Sequence, residues 1–401
     1  MKYCVLLADG ASDHPCEALG GRTPLEVADI PSLHAIARHG VTGALHTIPD
    51  GMPPGSDIGN LSVFGYDPTT SYTGRSPLEA AAMGVALGPE DVAFRCNLVT
   101  LGFNRDAVVM EDYSAGHILS EEATELITAL AQELGTETFQ FYPGVSYRHL
   151  MVWRGGRDAM VLTPPHDISD QPVAPHLPQG EGIEPLMALM SDSQILLKAH
   201  PVNRARQERG EKVANSIWLW GHGKAPRLKP FSERYGVSGA VISAVDLVKG
   251  IAVLAGLEFI AVPGATGYLD TNYRGKADYA LEALRQKDFV YIHVEAFDEA
   301  GHLGDAKKKV QALEDFDRQL VAPLLEGLHA MGPFRVLLCP DHPTPVAVKT
   351  HVAEPVPYAL WDSTRSGDAV ERYTEACRQE GSRHFPVGHT LMGYFLGRDG
   401  D

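Results

Sequence analysis

Cysteine is scarce in this 401-residue chain and its spacing is uninformative: Cys4, Cys16, Cys96, Cys339 and Cys377 make an odd count of five with no C-x-x-C pair. That pattern argues against a disulfide framework and suits reduced thiols in the cytoplasm. Long apolar runs are missing too. None approaches the ~20 residues of a membrane-spanning helix, and the run Tyr3-Cys-Val-Leu-Leu-Ala8 behind Lys2 breaks at Asp9, too soon for a secretory signal. Positive charge is in short supply: 34 Lys+Arg face 51 Asp+Glu, a formal charge of -17. Such a balance argues against nucleic acid and anionic membranes as partners. An anionic substrate then has to be met by charge concentrated at one place, through metal ions and a few Arg or Lys. There is no internal repeat, no low-complexity tract and no Gly-rich phosphate loop of the Walker type.

What is present is an apolar fraction of 44%, ample for a large core, in a length that suits two or three domains. Short apolar runs bounded by turn residues predict buried parallel strands at Tyr3–Ala8, Val41–Ile48, Ser216–Trp220, Phe259–Val262, Phe289–Val294 and Arg335–Cys339. Helical spacing appears at Ser32–His39, Asp57–Phe64, Pro77–Met83, Glu121–Leu134, Val241–Ala255, Lys276–Arg285 and Asp305–Leu328. The alternation predicts an α/β fold, a mostly parallel sheet sandwiched by helices. Between Pro89 and Lys212 the text changes, turning rich in Pro, Gly and His, with Thr138–Tyr142 and His149–Trp153 reading as mixed or antiparallel strands. This stretch predicts a smaller α+β domain at 89–212, inserted into a core domain made of 1–88 and 213–401.

Metal-type side chains fall just behind the predicted strands. Asp9 follows the first, in Ala8-Asp9-Gly10, and Phe289–Val294 runs into Glu295-Ala-Phe-Asp298-Glu-Ala-Gly-His302. Arg335–Cys339 runs into Pro340-Asp341-His342-Pro343, where the prolines forbid a helix and hold two potential ligands in a stiff loop. His389 stands in Val387-Gly-His389-Thr. Each has an ordinary alternative: a strand-end Asp is often a helix N-cap, and an acidic loop with one His is often a solvated turn. Carboxylates and imidazoles gathered at the C-terminal ends of parallel strands are, however, how open α/β sheets build two-metal centres. Mixed donors of this kind suit Mn²⁺, Zn²⁺ or Co²⁺ better than Mg²⁺ or Ca²⁺.

Ser56, in Pro53-Pro-Gly-Ser56-Asp57, opens a helical run. It reads either as a plain N-cap or as a nucleophile at a helix start, where free N–H groups and the dipole favour phosphate oxygens. A serine hydroxyl needs a base or a metal to become a nucleophile. Three weaker signals accompany it. Arg75, in Gly74-Arg-Ser-Pro77, suits an anion or a surface cap; Trp218 and Trp220 read as core; and Lys307-Lys-Lys309 reads as a solvated helix face.

Several longer stretches carry a resemblance: Leu19-Gly-Gly-Arg-Thr-Pro-Leu-Glu26, Pro54-Gly-Ser-Asp57, Tyr72-Thr-Gly-Arg-Ser-Pro-Leu-Glu79, Asp112-Tyr-Ser-Ala-Gly-His117, Tyr142-Pro-Gly-Val-Ser-Tyr-Arg-His149, Thr163-Pro-Pro-His-Asp167 and Pro340-Asp-His-Pro-Thr-Pro345. With these the chain resembles, from end to end, the cofactor-independent phosphoglycerate mutases of the archaeal type, within the alkaline phosphatase superfamily. The resemblance implies an alkaline-phosphatase-like core and Ser56 as a nucleophile carrying a transient phosphoryl group. It implies two divalent cations, Mn²⁺ ahead of Zn²⁺ or Co²⁺, with Asp9, Ser56, Asp341 and His342 on one and Asp298, His302 and His389 on the other. The substrate would be a small phosphorylated sugar acid. His117, Arg148, His149 and Asp167 would grip it in the inserted domain, with Asp167 or His117 moving hydroxyl protons and Lys249 helping to neutralise the phosphoserine. Phe297 departs from the family pattern, standing where a proline is expected, and should loosen the backbone before Asp298. The chain is also close to a subgroup labelled as possible homoserine kinases. A homoserine kinase-like phosphotransferase and a phosphomonoesterase on the same two-metal site are therefore the alternative readings.

Overall fold

The computed structural model describes residues 1–104 and 107–398. Backbone contacts divide the chain into one unit of Met1–Tyr72 with Arg227–Asp401 and a second of Thr73–Pro226.

The first unit is built on a seven-stranded sheet. Its strands are β1 (Lys2–Ala8), β2 (Val41–Leu45), β3 (Gly239–Ile242), β4 (Glu258–Ile260), β5 (Phe289–Val294), β6 (Phe334–Cys339) and β7 (Val356–Asp362). Their order across the sheet is β4-β3-β5-β1-β6-β7-β2. The five strands from β4 to β6 are parallel, while β7 pairs antiparallel with both β6 and β2. Continuous apolar runs form the centre because both faces are covered. On one face Leu6, Ile292 and Leu338 pack with the helices Pro31–His39 and Tyr273–Gln286 and with the helical stretch from Ala306 onward. On the other, Phe64 stacks on Tyr291 at 4.0 Å between ring centroids, and Phe231 meets Phe289 at 4.8 Å. This is the expected α/β sandwich with a mostly parallel sheet.

The second unit holds a five-stranded antiparallel sheet, in which the long strand Val92–Phe103 pairs with Val108–Asp112, Arg148–Trp153 and Ser216–Lys224, and Phe139–Val145 completes the edge. Ile127, Leu130, Leu186, Leu189 and Trp218 fill the core between this sheet and the helices Ser120–Glu133 and Glu184–Ala199.

The differences from the sequence reading have physical causes. The expected boundaries at 88/89 and 212/213 lie inside the second unit. Ala80, on the helix Arg75–Ala82, packs with Ala93, Leu150 and Val152, and Ser216–Trp220 is not a parallel strand of the first sheet but an antiparallel partner of Val92–Phe103. The stretch Val241–Ala255 is not one helix: Val241 and Ile242 end the buried strand β3, and the helix starts at Asp246. Phe297 does not loosen its segment; it is buried in the helix Ala296–Leu303, edge-on to Phe316 at 5.4 Å. Lys309 is not solvated. It shares the buried face of the helix Ala306–Phe316 with Ala306, Ala312, Leu313 and Phe316, and its Nζ lies 2.7 Å from Asp13 Oδ2 with neither side chain exposed.

Candidate active site

Three adjacent central strands, β5, β1 and β6, each deliver acidic side chains just past their C-terminal ends: Glu295 and Asp298, Asp9, and Asp341. Gly10 lets the chain turn tightly there, with φ +67°, and a Cβ at that position would stand 2.7 Å from both Asp298 Oδ1 and Thr344 Oγ1. Only glycine serves, for conformation and for space.

Asp9 is fully buried, and its Oδ1 has no hydrogen-bond partner. Burial, and then the charges of Asp341, Asp298 and Glu295, push its carboxyl well above the usual range. Asp341 is held on both sides. Oδ1 accepts from Gly10 N at 3.2 Å and His342 N at 3.0 Å, and Oδ2 accepts from Asn60 Nδ2 at 2.9 Å. Asn60 also donates to Ser56 O, and Tyr291 OH donates to Asn60 Oδ1, so the start of the Ser56 helix and Asp341 share one buried amide.

Ser56 is the first residue of the helix Ser56–Val63, and Gly55 is the N-cap with no side-chain bond. Its hydroxyl is therefore not spent as a cap; Oγ lies 3.1 Å from His342 Nε2. That nitrogen is also 3.6 Å from Asp9 Oδ1 and 3.5 Å from Asp341 Oδ2. Thr344 fixes the imidazole: its one proton goes to Asp298 Oδ1, so its lone pair receives His342 Nδ1–H at 3.2 Å and leaves Nε2 as the acceptor. Burial holds His342 below the usual histidine range, which favours that neutral form.

Asp298 and His302 sit four residues apart on the helix Ala296–Leu303, on one face, with His302 Nε2 3.1 Å from Asp298 Oδ2. His302 Nδ1 donates to Lys349 O at 3.0 Å, which turns Nε2 inward, where it meets His351 Nε2 at 3.0 Å. His351 Nε2 is 3.4 Å from Asp298 Oδ1. Burial opposes the charge on Asp298, and hydrogen bonds from His302 and His351 outweigh it, holding the carboxyl well below its usual range. In return Asp298 lifts His302 to about 9. A carboxylate facing two inward imidazole nitrogens demands positive charge at that point, which a proton or a cation can meet.

Ligand atoms of Asp9, Asp341 and His342 lie within 4.8 Å of one another, as do those of Asp298, His342 and His351. The unpartnered Asp9 oxygen, the crowded buried carboxylates and the inward nitrogens all fit divalent cations.

His389 is not part of this cluster. It stands in the short turn Gly388–Thr390, in a stretch that runs along the edge strand β2, where a Cβ on Gly388 would press on His46 O, and its Nδ1 is 3.9 Å from Asp67 Oδ1. The second imidazole beside Asp298 and His302 is instead that of His351. Lys249 lies on the helix Asp246–Leu254, with Nζ 5.4 Å from the Phe259 ring centroid.

The second unit gathers a different set of groups. Ala115, His117 and Ser146 all take left-handed backbone, with φ of 49°, 50° and 54°. Bonds from Ser114 N and Oγ to Asp112, from His117 N to Ser114 Oγ and from Ser146 Oγ to Ile118 O pin these loops. They present Tyr113, His117 and Tyr147 edge to edge at 5.7 to 6.4 Å, and Arg148 lies over Tyr147 at 5.7 Å. His166 meets both Tyr113, at 6.1 Å, and Trp220, at 5.2 Å, with Asp167 3.6 Å away at the exposed rim. Arg95, buried over Trp220 at 4.4 Å, shares Glu79 with Arg75. Burial lowers Arg95 to about 10; Glu79 opposes this, while the like charges of Arg75 and Arg148 add to it. Three guanidinium groups thus crowd one place in an acidic chain. His149 stands apart, buried within its strand and pushed by burial to about 3, with Nδ1 accepting from Gly144 N.

A family model described as 2,3-bisphosphoglycerate-independent phosphoglycerate mutase matches residues 37–203. A probable 2,3-bisphosphoglycerate-independent phosphoglycerate mutase of Geobacter sulfurreducens is 56% identical over 399 residues, covering 99% of this chain and 100% of the relative. The mutase of Methanosarcina acetivorans is 51% identical over the same coverage. Among solved structures, a protein of Pyrococcus horikoshii matches with TM-score 0.84 and 29% identity over 100% of this chain and 98% of its own. The cofactor-independent phosphoglycerate mutase of Thermoplasma acidophilum matches with TM-score 0.67 and 26% identity over the whole of both. With relatives this similar along its full length, the chain belongs to the 2,3-bisphosphoglycerate-independent phosphoglycerate mutases.

Proposed function

We propose that this protein interconverts 3-phosphoglycerate and 2-phosphoglycerate through a phosphoserine on Ser56, with Asp9, Ser56, Asp341 and His342 holding one divalent cation and Asp298, His302 and His351 holding a second. The observation that carries the reading is the convergence of an uncapped helix-start serine on buried carboxylates and inward imidazole nitrogens. The mixed oxygen and nitrogen donors suit Mn²⁺, with Zn²⁺ and Co²⁺ as rivals. When bound, such ions offset the carboxylate charge, acidify the serine hydroxyl and neutralise phosphoryl oxygens.

The residues of the chain do the rest. Ser56 Oγ gives up its proton and attacks phosphorus in line; the bond from phosphorus to the glycerate oxygen breaks, and that oxygen takes a proton. The other hydroxyl of the retained glycerate then gives up its proton and takes the phosphoryl group back as the phosphorus–Oγ bond breaks and Ser56 regains a proton. Free N–H groups at the start of the helix Ser56–Val63 favour the phosphoryl oxygens. To the second unit we assign the grip on glycerate: Arg75, Arg95 and Arg148 for the local positive charge that an acidic protein needs for the carboxylate, and His117, His166 and Asp167 as the groups with the chemistry to move the hydroxyl protons. The five free, buried cysteines suit a reducing cytoplasmic compartment.

The test is conversion of 3- to 2-phosphoglycerate with added Mn²⁺ and no bisphosphoglycerate, followed by recovery of a phosphopeptide containing Ser56. Ser56→Ala should lower turnover by several orders of magnitude, on the order of the ~10⁶-fold found when a covalent nucleophile is removed. Absence of 2-phosphoglycerate from the wild-type reaction, or roughly a tenth of wild-type turnover in the alanine variant, overturns the reading.

A further inference from the structure

Asp9 keeps one oxygen free because something else occupies the other. His293, the residue before the last in β5, lies opposite Leu7 across the β1–β5 ladder and is fully enclosed. Its Nε2 is 2.9 Å from Asp9 Oδ2 and its Nδ1 is 3.2 Å from Ser243 Oγ. Ser243 Oγ already accepts Val245 N–H at 2.9 Å, and its hydroxyl proton is then free to go to Nδ1. With Nδ1 as acceptor, Nε2 carries the ring proton and donates it to Asp9 Oδ2, and every donor and acceptor along that path from Val245 N to Asp9 Oδ2 is matched. With Asp9 ionised, as a bound cation would keep it, the opposite tautomer would set a bare nitrogen against a carboxylate oxygen and strand the serine proton. Lys276 completes the support from the backbone side: its Nζ donates to His293 O at 2.8 Å, fixing the strand end on which the imidazole is mounted.

We infer that His293 is a positioning residue: it locks Asp9 Oδ2 so that Oδ1 alone is presented, one oxygen in one direction, to the cation held with Asp341 and His342. The inference rests on the two-cation reading proposed above. A carboxylate freed of this bond can rotate about χ2 and alternate between one-oxygen and two-oxygen contact, which loosens the ligand geometry. Partners behind metal ligands typically contribute 10- to 100-fold in metal affinity.

The experiment titrates Mn²⁺ into metal-stripped wild type, His293→Leu and His293→Gln by calorimetry, with thermal unfolding of each metal-free protein as the control for folding. The leucine variant should bind at one of its two sites about 10- to 100-fold more weakly and at the other as wild type does. Glutamine, whose amide nitrogen can still donate to Asp9, should recover most of the loss. Histidine ¹⁵N shifts of the wild type loaded with diamagnetic Zn²⁺ should show the Nε2–H tautomer at His293. Unchanged binding by the leucine variant overturns the inference and leaves the two-cation reading standing, and a folded glutamine variant as weak as leucine overturns it too. A wild type that binds no Mn²⁺ overturns the two-cation reading itself. Should the leucine variant fail to fold, an Nδ1–H tautomer in wild type overturns the inference independently.

Discussion

Replacing Lys309 by methionine isolates the worth of a buried charge behind the site. Nζ donates to Asp13 Oδ2 at 2.7 Å, Thr344 O at 2.8 Å and Ser12 O at 3.3 Å, and none of the lysine is exposed. Methionine keeps the volume, so packing changes little. What is lost is the donor to Thr344 O and Ser12 O and, above all, the countercharge of Asp13, which among the described residues retains the amides of His14 and Val346. Removing one partner of a buried pair costs about 3–5 kcal/mol because the other charge stays buried. Exchange of the β1 and β6 amides under native conditions reports the opening of this unit by itself. It should accelerate by about two to three and a half orders of magnitude, at 1.4 kcal/mol per tenfold. Adding Asp13→Leu removes the stranded charge and should restore most of the protection. Exchange that is unchanged in the single variant, or a double variant less protected than the single, refutes the reasoning.

His351→Ala should lose one of two bound Mn²⁺ ions and most activity, while His389→Ala keeps both ions; metal analysis after dialysis decides between them. Burial lowers Lys276 to about 8 against an ordinary 10.5, so the unfolded chain binds more protons between those values. Its share of stability is therefore present above pH 10.5 and is lost as pH falls towards 8, amounting to roughly 3 kcal/mol at 1.36 kcal/mol per unit. Urea unfolding at pH 8 and 10 should show that rise shrinking in Lys276→Met. Arg148→Ala should leave the metal content intact, lower mutase turnover and raise the ratio of free phosphate to isomerised product; an unchanged ratio with an unchanged rate removes Arg148 from the site.

The parts of this site that could be read in the sequence were those tied to a regular element. Asp9 and Asp341 stand directly behind apolar runs, and Asp298 and His302 are separated by a helical interval, so strand and helix periods locate them. His351 has no such tether. It lies nine residues beyond His342 in the stretch between β6 and β7, where no period sets the direction of a side chain. The length of that stretch, behind a central strand, was the available signal, because long loops in compact domains tend to be functional. Arg95 was hidden differently, in the long buried strand Val92–Phe103, which the sequence reading did not pick out, and with a partner, Glu79, on a separate helix. Lys309 was legible and misread: the run of three lysines drew attention to charge, while the interval to Ala306, Ala312, Leu313 and Phe316 marked it as facing inward.

All five thiols are free and buried, and burial raises those of Cys4, Cys96, Cys339 and Cys377 well above neutrality, leaving almost no thiolate at pH 7. A cysteine introduced at the surface would consequently be far more accessible than any native thiol, all five of which are buried. Val253 in the first unit and Ile195 in the second are 46% and 73% exposed and suit that purpose. A pair of spin labels there, attached without removing a single native cysteine, would turn the separation of the two units into a measurable distance, with and without phosphoglycerate.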